Sequence, residues 1–337
     1  MRAPSLLAQA ALLSALASAF ALAACGANPS SSVRQTGDEA ARLSALTELD
    51  QRVARVAWAL SRANRDLCPV VRQSAGWALH AANQYSDALR PLAKARFQLN
   101  GDLPGILAVP SGSPAAQAGL RQGDLVLAVD DAPLSVGALN RPAEFAGLSA
   151  NIAVLDSALA GGPARLTVQR GEDRLDVTLR PEPACGYEVQ LNPSDELNAR
   201  ADGRRLFIST ALAGFAQTDD ELALILGHEL AHNVLRHRSW AETGGEGRTV
   251  VDRDCDPRLC GAGDHERQAD RVGLYLMARA GYRPDVAAPF WRRFGASNWR
   301  VRYPQLAHAS AGVRAARLEQ VQTEIEALVA AGRPLLP

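Results

Sequence analysis

Neither sign of charge is in excess in this chain of 337 residues, because 36 Lys and Arg residues balance 36 Asp and Glu residues. Lysine itself is nearly absent, since Lys94 is the only one and the many arginines are scattered along the chain. A protein that binds nucleic acid or an anionic membrane surface normally carries a clustered basic patch. We therefore expect no nucleic acid among the partners of this protein.

The chain also lacks a hydrophobic run of the strength typical of a membrane-spanning helix. Residues 6–24 are apolar, but they are rich in alanine and interrupted by three polar residues, a pattern typical of a secretory signal peptide. The sequence Leu22-Ala23-Ala24 before Cys25 resembles the bacterial lipobox, in which the cysteine is acylated and becomes the first mature residue. We predict a lipoprotein signal peptide over 1–24 and a lipid anchor on Cys25, with an uncleaved transmembrane helix as the alternative. By resemblance to Gram-negative lipoproteins, Gly26 favours a periplasm-facing position at the outer membrane.

The remaining chain divides by composition into four segments. Residues 25–37 are small and polar, which predicts a flexible tether. Apolar residues at three- and four-residue steps then predict an amphipathic helix, and we assign 38–96 to a helical segment that packs on the C-terminal domain. Near Gly101 the composition shifts to Gly, Pro and β-branched residues. We predict an inserted β-rich domain over 97–182 and a C-terminal domain over 183–337.

The inserted segment resembles a PDZ domain of the bacterial protease type. Ser113 and Pro114 predict the start of a short helix, Gly119 its end, and Gly123-Asp124 a turn into an apolar strand. The resemblance implies that an extended peptide is captured as an added strand. No carboxylate-binding loop is evident before Ile106, so a module that only spaces or oligomerises the protein is the alternative.

The cysteines have no CxxC spacing, so a cysteine-ligated metal is not expected. Four cysteines remain when Cys25 is set aside, and an even number in an exported protein favours disulfides. Of the three possible connectivities we predict Cys68–Cys185 and Cys255–Cys260. Each of these bridges joins segments that the domain order already brings together.

The strongest motif in the chain is His228-Glu229-Leu230-Ala231-His232. It follows a capping-box pattern at Thr218 and Glu221 and lies in a long apolar run, which predicts a buried helix. Positions four apart share a helix face, so both imidazoles can bind one zinc ion, and Glu229 can take a proton from water beside the metal. Two histidines and a glutamate would be costly to bury without such a partner.

A catalytic zinc needs a third protein ligand, and the metzincin pattern is missing because Leu235 and Arg238 occupy the positions that require Gly and His. A following helix carries Glu266 and Asp270 on one face. We predict Glu266 as the third ligand and Asp270 as the carboxylate that orients a ligand imidazole. One zinc ion per chain is expected. His237 is expected to point away from the ligands, since five residues separate it from His232.

Together, Asn198-Ala199 followed by a strand, the HExxH motif and Glu266-Arg267-Gln268-Ala269-Asp270 resemble the HtpX and Oma-type zinc metallopeptidases, which are gluzincins. The resemblance covers roughly residues 186–325 and implies an α+β protein, with a mostly helical peptidase domain and a small sheet. It also implies zinc-dependent cleavage of unfolded or misfolded cell-envelope proteins. A substrate strand is expected along an edge strand at 204–210, with Leu206, Ile208 and Thr210 as its residues. By the same resemblance, His308 is a candidate active-site residue.

Two questions stay open at this point. Residues 238–263 form a long segment rich in Gly and charge, typical either of a functional lid or of a disordered excursion. A binding or chaperone-like factor with a latent or structural zinc site is the alternative to a peptidase. A closed structural site would need a fourth protein ligand, which the spacing offers only if His265 or His308 serves.

Overall fold

Helices dominate the C-terminal part of the chain and antiparallel strands its middle, which confirms the predicted α+β class. The computed structural model describes residues 29–139, 142–237, 261–298 and 309–337, with side chains from residue 37 onward. The chain divides into two units, Met1–Asp38 and Glu39–Pro337, and every contact described below lies within the second. Among the described helices, none combines the length and apolarity needed to cross a membrane.

The described helices and strands are bounded as follows. The helices are α1 (Pro29–Ala63), α2 (Arg90–Phe97), α3 (Pro114–Gln117), α4 (Ala146–Ala160), α5 (Thr210–Phe215), α6 (Asp219–Val234), α7 (Ala262–Arg279), α8 (Ala287–Ser297) and α9 (Ala311–Ala330). The strands are β1 (Val71–Ser74), β2 (Ala78–His80), β3 (Gly105–Ala108), β4 (Leu125–Val129), β5 (Ala132–Pro133), β6 (Ala164–Arg170), β7 (Asp173–Leu179), β8 (Glu182–Cys185), β9 (Glu188–Asn192), β10 (Ala199–Ala201) and β11 (Arg205–Ser209).

Helix α1 contributes to two hydrophobic cores. Val53, Val56 and Leu60 are buried among the helices of the C-terminal domain, whereas Leu43 is buried with the strands of the inserted domain. The helix begins at Pro29 rather than at Asp38, so the tether predicted for 25–37 is partly helical. Helix α1 is therefore shared by the two hydrophobic cores.

The inserted domain is a six-stranded sheet in the order β2-β3-β4-β6-β7, with β5 paired to β4. Asp130 and Asp131 both have positive φ, at 47° and 66°, as a two-residue hairpin between β4 and β5 requires. Ser113 caps α3 by accepting a hydrogen bond from the Ala116 amide at 3.2 Å, as its sequence predicts. The sheet extends beyond the predicted limits of 97–182, because β2 lies ahead of them in a segment that was expected to be helical.

The C-terminal domain contains a three-stranded sheet in the order β10-β11-β9. Strand β11 is central, since it pairs antiparallel with β10 and parallel with β9. The prediction of a substrate edge strand at Leu206, Ile208 and Thr210 is therefore wrong. Leu206 and Ile208 are buried, and Thr210 already begins α5. Within the described residues, β10 forms an edge of this sheet.

The inserted domain joins the C-terminal domain through a two-stranded stem. Strand β1 enters the insertion and pairs antiparallel with β8, which leaves it. At the base of this stem a disulfide links Cys68 to Cys185, both of them buried, with the Cα atoms 5.5 Å apart. This bridge is the predicted one, and it closes a loop over a separation of 117 residues.

Candidate metal centre

The helix α6 begins at the site that the capping pattern predicts. Thr218 accepts a hydrogen bond from the Glu221 amide at 3.2 Å, and the Glu221 carboxylate accepts one from the Gln217 amide at 2.6 Å. The same carboxylate also forms an ion pair with Arg293 at 2.7 Å. This ion pair compensates the burial of Glu221, whose side chain is only 8% exposed. The apolar residues behind this cap are buried, so the helix position of His228 and His232 is set by the core.

A second helix, α7, crosses α6 at a point of glycine contact. A Cβ on Gly227 would lie 2.8 Å from the Gly273 carbonyl oxygen, and one on Gly273 would lie 2.7 Å from the His228 amide nitrogen. Both distances are shorter than a carbon can tolerate, so only glycine permits this approach. The crossing brings Glu266, on the first turns of α7, beside the two histidines of α6.

His228, His232 and Glu266 form one group of possible metal ligands. The two Nε2 atoms lie 3.2 Å apart, Glu266 Oε2 lies 3.3 Å from His228 Nε2, and Glu266 Oε1 lies 3.3 Å from His232 Nε2. A tetrahedral zinc site with bonds of about 2.0 to 2.1 Å has ligand–ligand edges of about 3.3 to 3.4 Å. The three residues therefore fit a zinc ion in donor type and in spacing, with a fourth position left for a non-protein ligand.

The other ring nitrogen of His228 faces a carboxylate. Asp270 Oδ1 lies 3.0 Å from His228 Nδ1 and is also held by Arg314, a residue of α9. Burial raises the pKa of Asp270, but the Arg314 charge and the hydrogen bonds to His228 and Arg314 lower it below its usual range. Asp270 is thus a carboxylate that can fix the ring of His228 with its proton on Nδ1.

Arg314 was missed by the sequence interpretation. Its guanidinium donates to Asp270 Oδ2 at 2.8 Å, lies 4.0 Å from Glu266 and stacks 3.6 Å over the ring of Trp291. Arg314 is only 6% exposed, so its charge needs these partners. No spacing relative to HExxH marks it, because α9 lies more than seventy residues further along the chain.

The expectation that His237 points away from the ligands is wrong. Helix α6 ends at Val234, and Arg236 adopts a left-handed conformation with φ of 54°. This turn brings the buried His237 back to His232, with the two Nδ1 atoms 2.9 Å apart. Helical periodicity failed here because the helix had already ended. His265 stacks on the ring of His237, with the ring centroids 4.3 Å apart.

Glu229 lines the same cleft and is 8% exposed. Burial raises the pKa of its carboxyl group, while the neighbouring His228 and His232 act in the lowering direction, and the net shift is upward. A carboxylate with a raised pKa is a better proton acceptor near neutral pH.

The cleft around these residues has a volume of about 770 Å³. One wall is formed by residues 196–201, which include edge strand β10. Another part of the lining is aromatic, with Phe290, Trp291 and Phe294 packed against one another on α8. The predicted metal ligands thus share one cleft with a strand edge and an aromatic surface.

Several predicted residues lie outside the part of the chain that the structure describes. They are Cys25, Cys255, Cys260 and His308, together with residues 238–260 of the segment interpreted as a lid or an excursion. Their roles stay predictions.

Comparisons with known proteins agree with the two domains. The model of peptidase family M48 matches residues 168–245, and that of the PDZ domain matches residues 105–148. The mitochondrial metalloendopeptidase OMA1 of Saccharomyces cerevisiae is 26% identical over 107 residues, which cover 27% of this chain and 31% of that protein. A crystal structure of the HtrA3 PDZ domain bound to a phage-derived ligand is 21% identical to this chain, with a TM-score of 0.26. The match covers 35% of this chain and 93% of the HtrA3 domain. Residues 168–245 are thus similar to peptidase family M48 and residues 105–148 to a PDZ domain.

Proposed function

We propose that this protein is a zinc-dependent endopeptidase that cleaves unfolded or misfolded proteins of the cell envelope. The observation that carries the proposal is the cluster of His228, His232 and Glu266, whose donor atoms lie within 4.8 Å of one another, with Glu229 buried beside it. The peptidase family M48 match and the similarity to a metalloendopeptidase support the same activity.

Zinc, when bound, polarises the scissile carbonyl and makes water nucleophilic near neutral pH. The Glu229 carboxylate then accepts the proton of the attacking water and delivers it to the nitrogen of the leaving amine. Burial raises the pKa of the Glu229 carboxyl group, which makes its carboxylate a better acceptor of the water proton. Asp270 and Arg314 hold the ring of His228 in the tautomer that leaves Nε2 free for the metal.

The substrate class follows from the shape of the cleft. An extended peptide can pair with the edge of β10 and pass the metal-binding group, whereas a folded chain already uses its backbone groups in its own structure. Strand β10 thus takes the role expected for the strand of Leu206 and Ile208, because both edges of that strand are already paired. The PDZ domain would capture peptide segments in the same manner and deliver them to the cleft.

The proposed location rests on the sequence pattern around Cys25 alone. Acylation of this residue would anchor the protein to a membrane, since each buried methylene contributes about 0.8 kcal/mol. We propose a periplasm-facing lipoprotein, most consistent with the outer membrane.

The decisive experiment is Glu229→Gln, assayed with an unfolded substrate such as casein. The variant should keep its zinc, because Glu229 is not among the ligands, and should lose cleavage. Glu326→Gln, on an exposed part of α9, is the matched control and should cleave like the unaltered protein. Cleavage by Glu229→Gln at the control rate would contradict the proposed role of Glu229 as the proton acceptor. No cleavage by any form, with zinc bound, would favour the binding or chaperone-like alternative.

A further inference from the structure

His237 is hydrogen-bonded to His232, a predicted metal ligand, at the ring nitrogen that does not face His228 and Glu266. Its Nδ1 lies 2.9 Å from His232 Nδ1, and its Nε2 lies 3.1 Å from the side-chain oxygen of Gln268 on α7. Both His237 and Gln268 are buried, at 6% and 2% exposure. The three side chains thus form a hydrogen-bonded chain that ends at His232.

The protons of this chain can be arranged in one way that leaves a metal site. His232 Nε2 faces His228 and Glu266, so it must be unprotonated to bind a metal, and the ring proton must lie on Nδ1. His232 Nδ1 then donates to His237 Nδ1. His237 consequently carries its own proton on Nε2, where the Gln268 oxygen accepts it. The opposite arrangement would place a proton on His232 Nε2 and block the metal.

The local backbone is built for this contact. Arg236 has a left-handed conformation, which costs about 1 kcal/mol or more for a residue other than glycine. A continued helix would carry His237 away from His232, so the turn at Arg236 is what makes the contact. His265 stacks on the His237 ring at an interplanar angle of 12°. This stacking restricts the rotation of the His237 ring.

We propose that His237 is a positioning residue that, with Gln268, selects the metal-binding tautomer of His232. The inference rests on the zinc site of the proposed function. His228 is supported by the charged pair of Asp270 and Arg314, whereas His232 is supported by a neutral imidazole and an amide. Loss of such an outer partner typically lowers metal affinity 10- to 100-fold.

The test compares His237→Asn with His237→Gln in the full-length mature protein carrying Glu229→Gln. The Asn side-chain oxygen lies near the position of Nδ1 and can still accept from His232, whereas the Gln side chain reaches only toward Gln268. Zinc affinity, measured by competition with a chelator, should fall 10- to 100-fold for His237→Gln and stay within about threefold for His237→Asn. Equal losses in both variants, or no loss in His237→Gln, would overturn the proposal.

A second measurement does not depend on the variants folding. Long-range proton–nitrogen NMR spectra of the zinc-bound protein with labelled histidine should show His232 protonated at Nδ1 and His237 at Nε2. A proton on His237 Nδ1 would overturn the proposal. Because neither readout uses catalysis, failure to cleave casein would refute the endopeptidase while leaving this inference standing.

Discussion

At the scale of single residues, the metal centre depends on two kinds of contact. Donor atoms of His228, His232 and Glu266 meet at the spacing of a tetrahedral site, and outer groups hold those donors in place. Removal of a donor and removal of a supporting group should therefore differ in magnitude, since the first deletes a bond to the metal and the second only loosens its geometry.

Glu266→Ala should lower zinc affinity by more than the 10- to 100-fold expected for an outer partner, because only two protein ligands remain. Zinc content after dialysis against a moderate chelator concentration, measured by mass spectrometry, checks this. Arg267→Ala, the exposed neighbour on α7, is the control and should keep its zinc. Unchanged zinc in Glu266→Ala would mean that another residue is the third ligand.

Arg314→Lys should lower zinc affinity within the 10- to 100-fold range while keeping the charge. Lysine cannot hold both oxygens of Asp270 or stack flat on Trp291 as the guanidinium does. Chelator competition measures the effect, and Arg292→Lys, in an exposed ion pair with Glu319, should show none. The interpretation fails if both lysine variants bind zinc equally well.

At the scale of elements, the crossing of α6 and α7 decides where Glu266 lies. Both helices present glycine at the crossing point, and their backbones touch there. In the sequence, the small residues Ala269 and Gly273 flank Asp270, and small residues permit a close approach of two helices. The structure adds Gly227 as the partner, which lies immediately before His228.

Gly273→Ala should separate the two helices, because its Cβ would meet backbone atoms of Gly227 and His228 within 3 Å. We expect a loss of about 1 to 3 kcal/mol in the free energy of unfolding, together with weaker zinc binding. Urea denaturation and chelator competition measure the two effects. Gly214→Ala in α5, where no atom lies within 4 Å, should be neutral or stabilising by about 0.5 to 1 kcal/mol. Equal behaviour of the two variants would contradict the close-crossing account.

At the scale of the whole molecule, the inserted domain is joined to the peptidase core by α1, by the β1–β8 stem and by the disulfide. The disulfide lies at the base of the stem, and its cysteines belong to the core that contains α6 and α7. It constrains the insertion without contacting the metal-binding group.

The double variant Cys68→Ala/Cys185→Ala should therefore lower the free energy of unfolding and keep its zinc. The chain-entropy account gives about 4 to 5 kcal/mol for a closed loop of this length, as an upper figure. Denaturant unfolding and metal analysis, with and without reductant for the unaltered protein, separate the two effects. Loss of zinc together with the bridge would show that the stem also supports the metal helices.

The sequence alone determined the features that depend on local spacing. The α+β class and the PDZ-like strands are confirmed. The pairing of Cys68 with Cys185 is also confirmed, but it was predicted from the domain order, since 117 residues separate the two cysteines. The HExxH spacing predicted two histidines on one face, and the structure brings them to Glu266, although the metal itself stays a prediction. Such features are readable because helix periodicity, caps and turns act over a few neighbouring residues.

Only the tertiary structure decided which distant elements meet. Strand order made β11 central and β10 an edge, and this order depends on pairings between segments that no local spacing specifies. Helix α9 brought Arg314 to Asp270 across 44 residues of sequence, and a left-handed turn at Arg236 brought His237 to His232. These contacts arise from packing between elements and from one backbone conformation outside helical periodicity, and neither is encoded in the local spacing of residues.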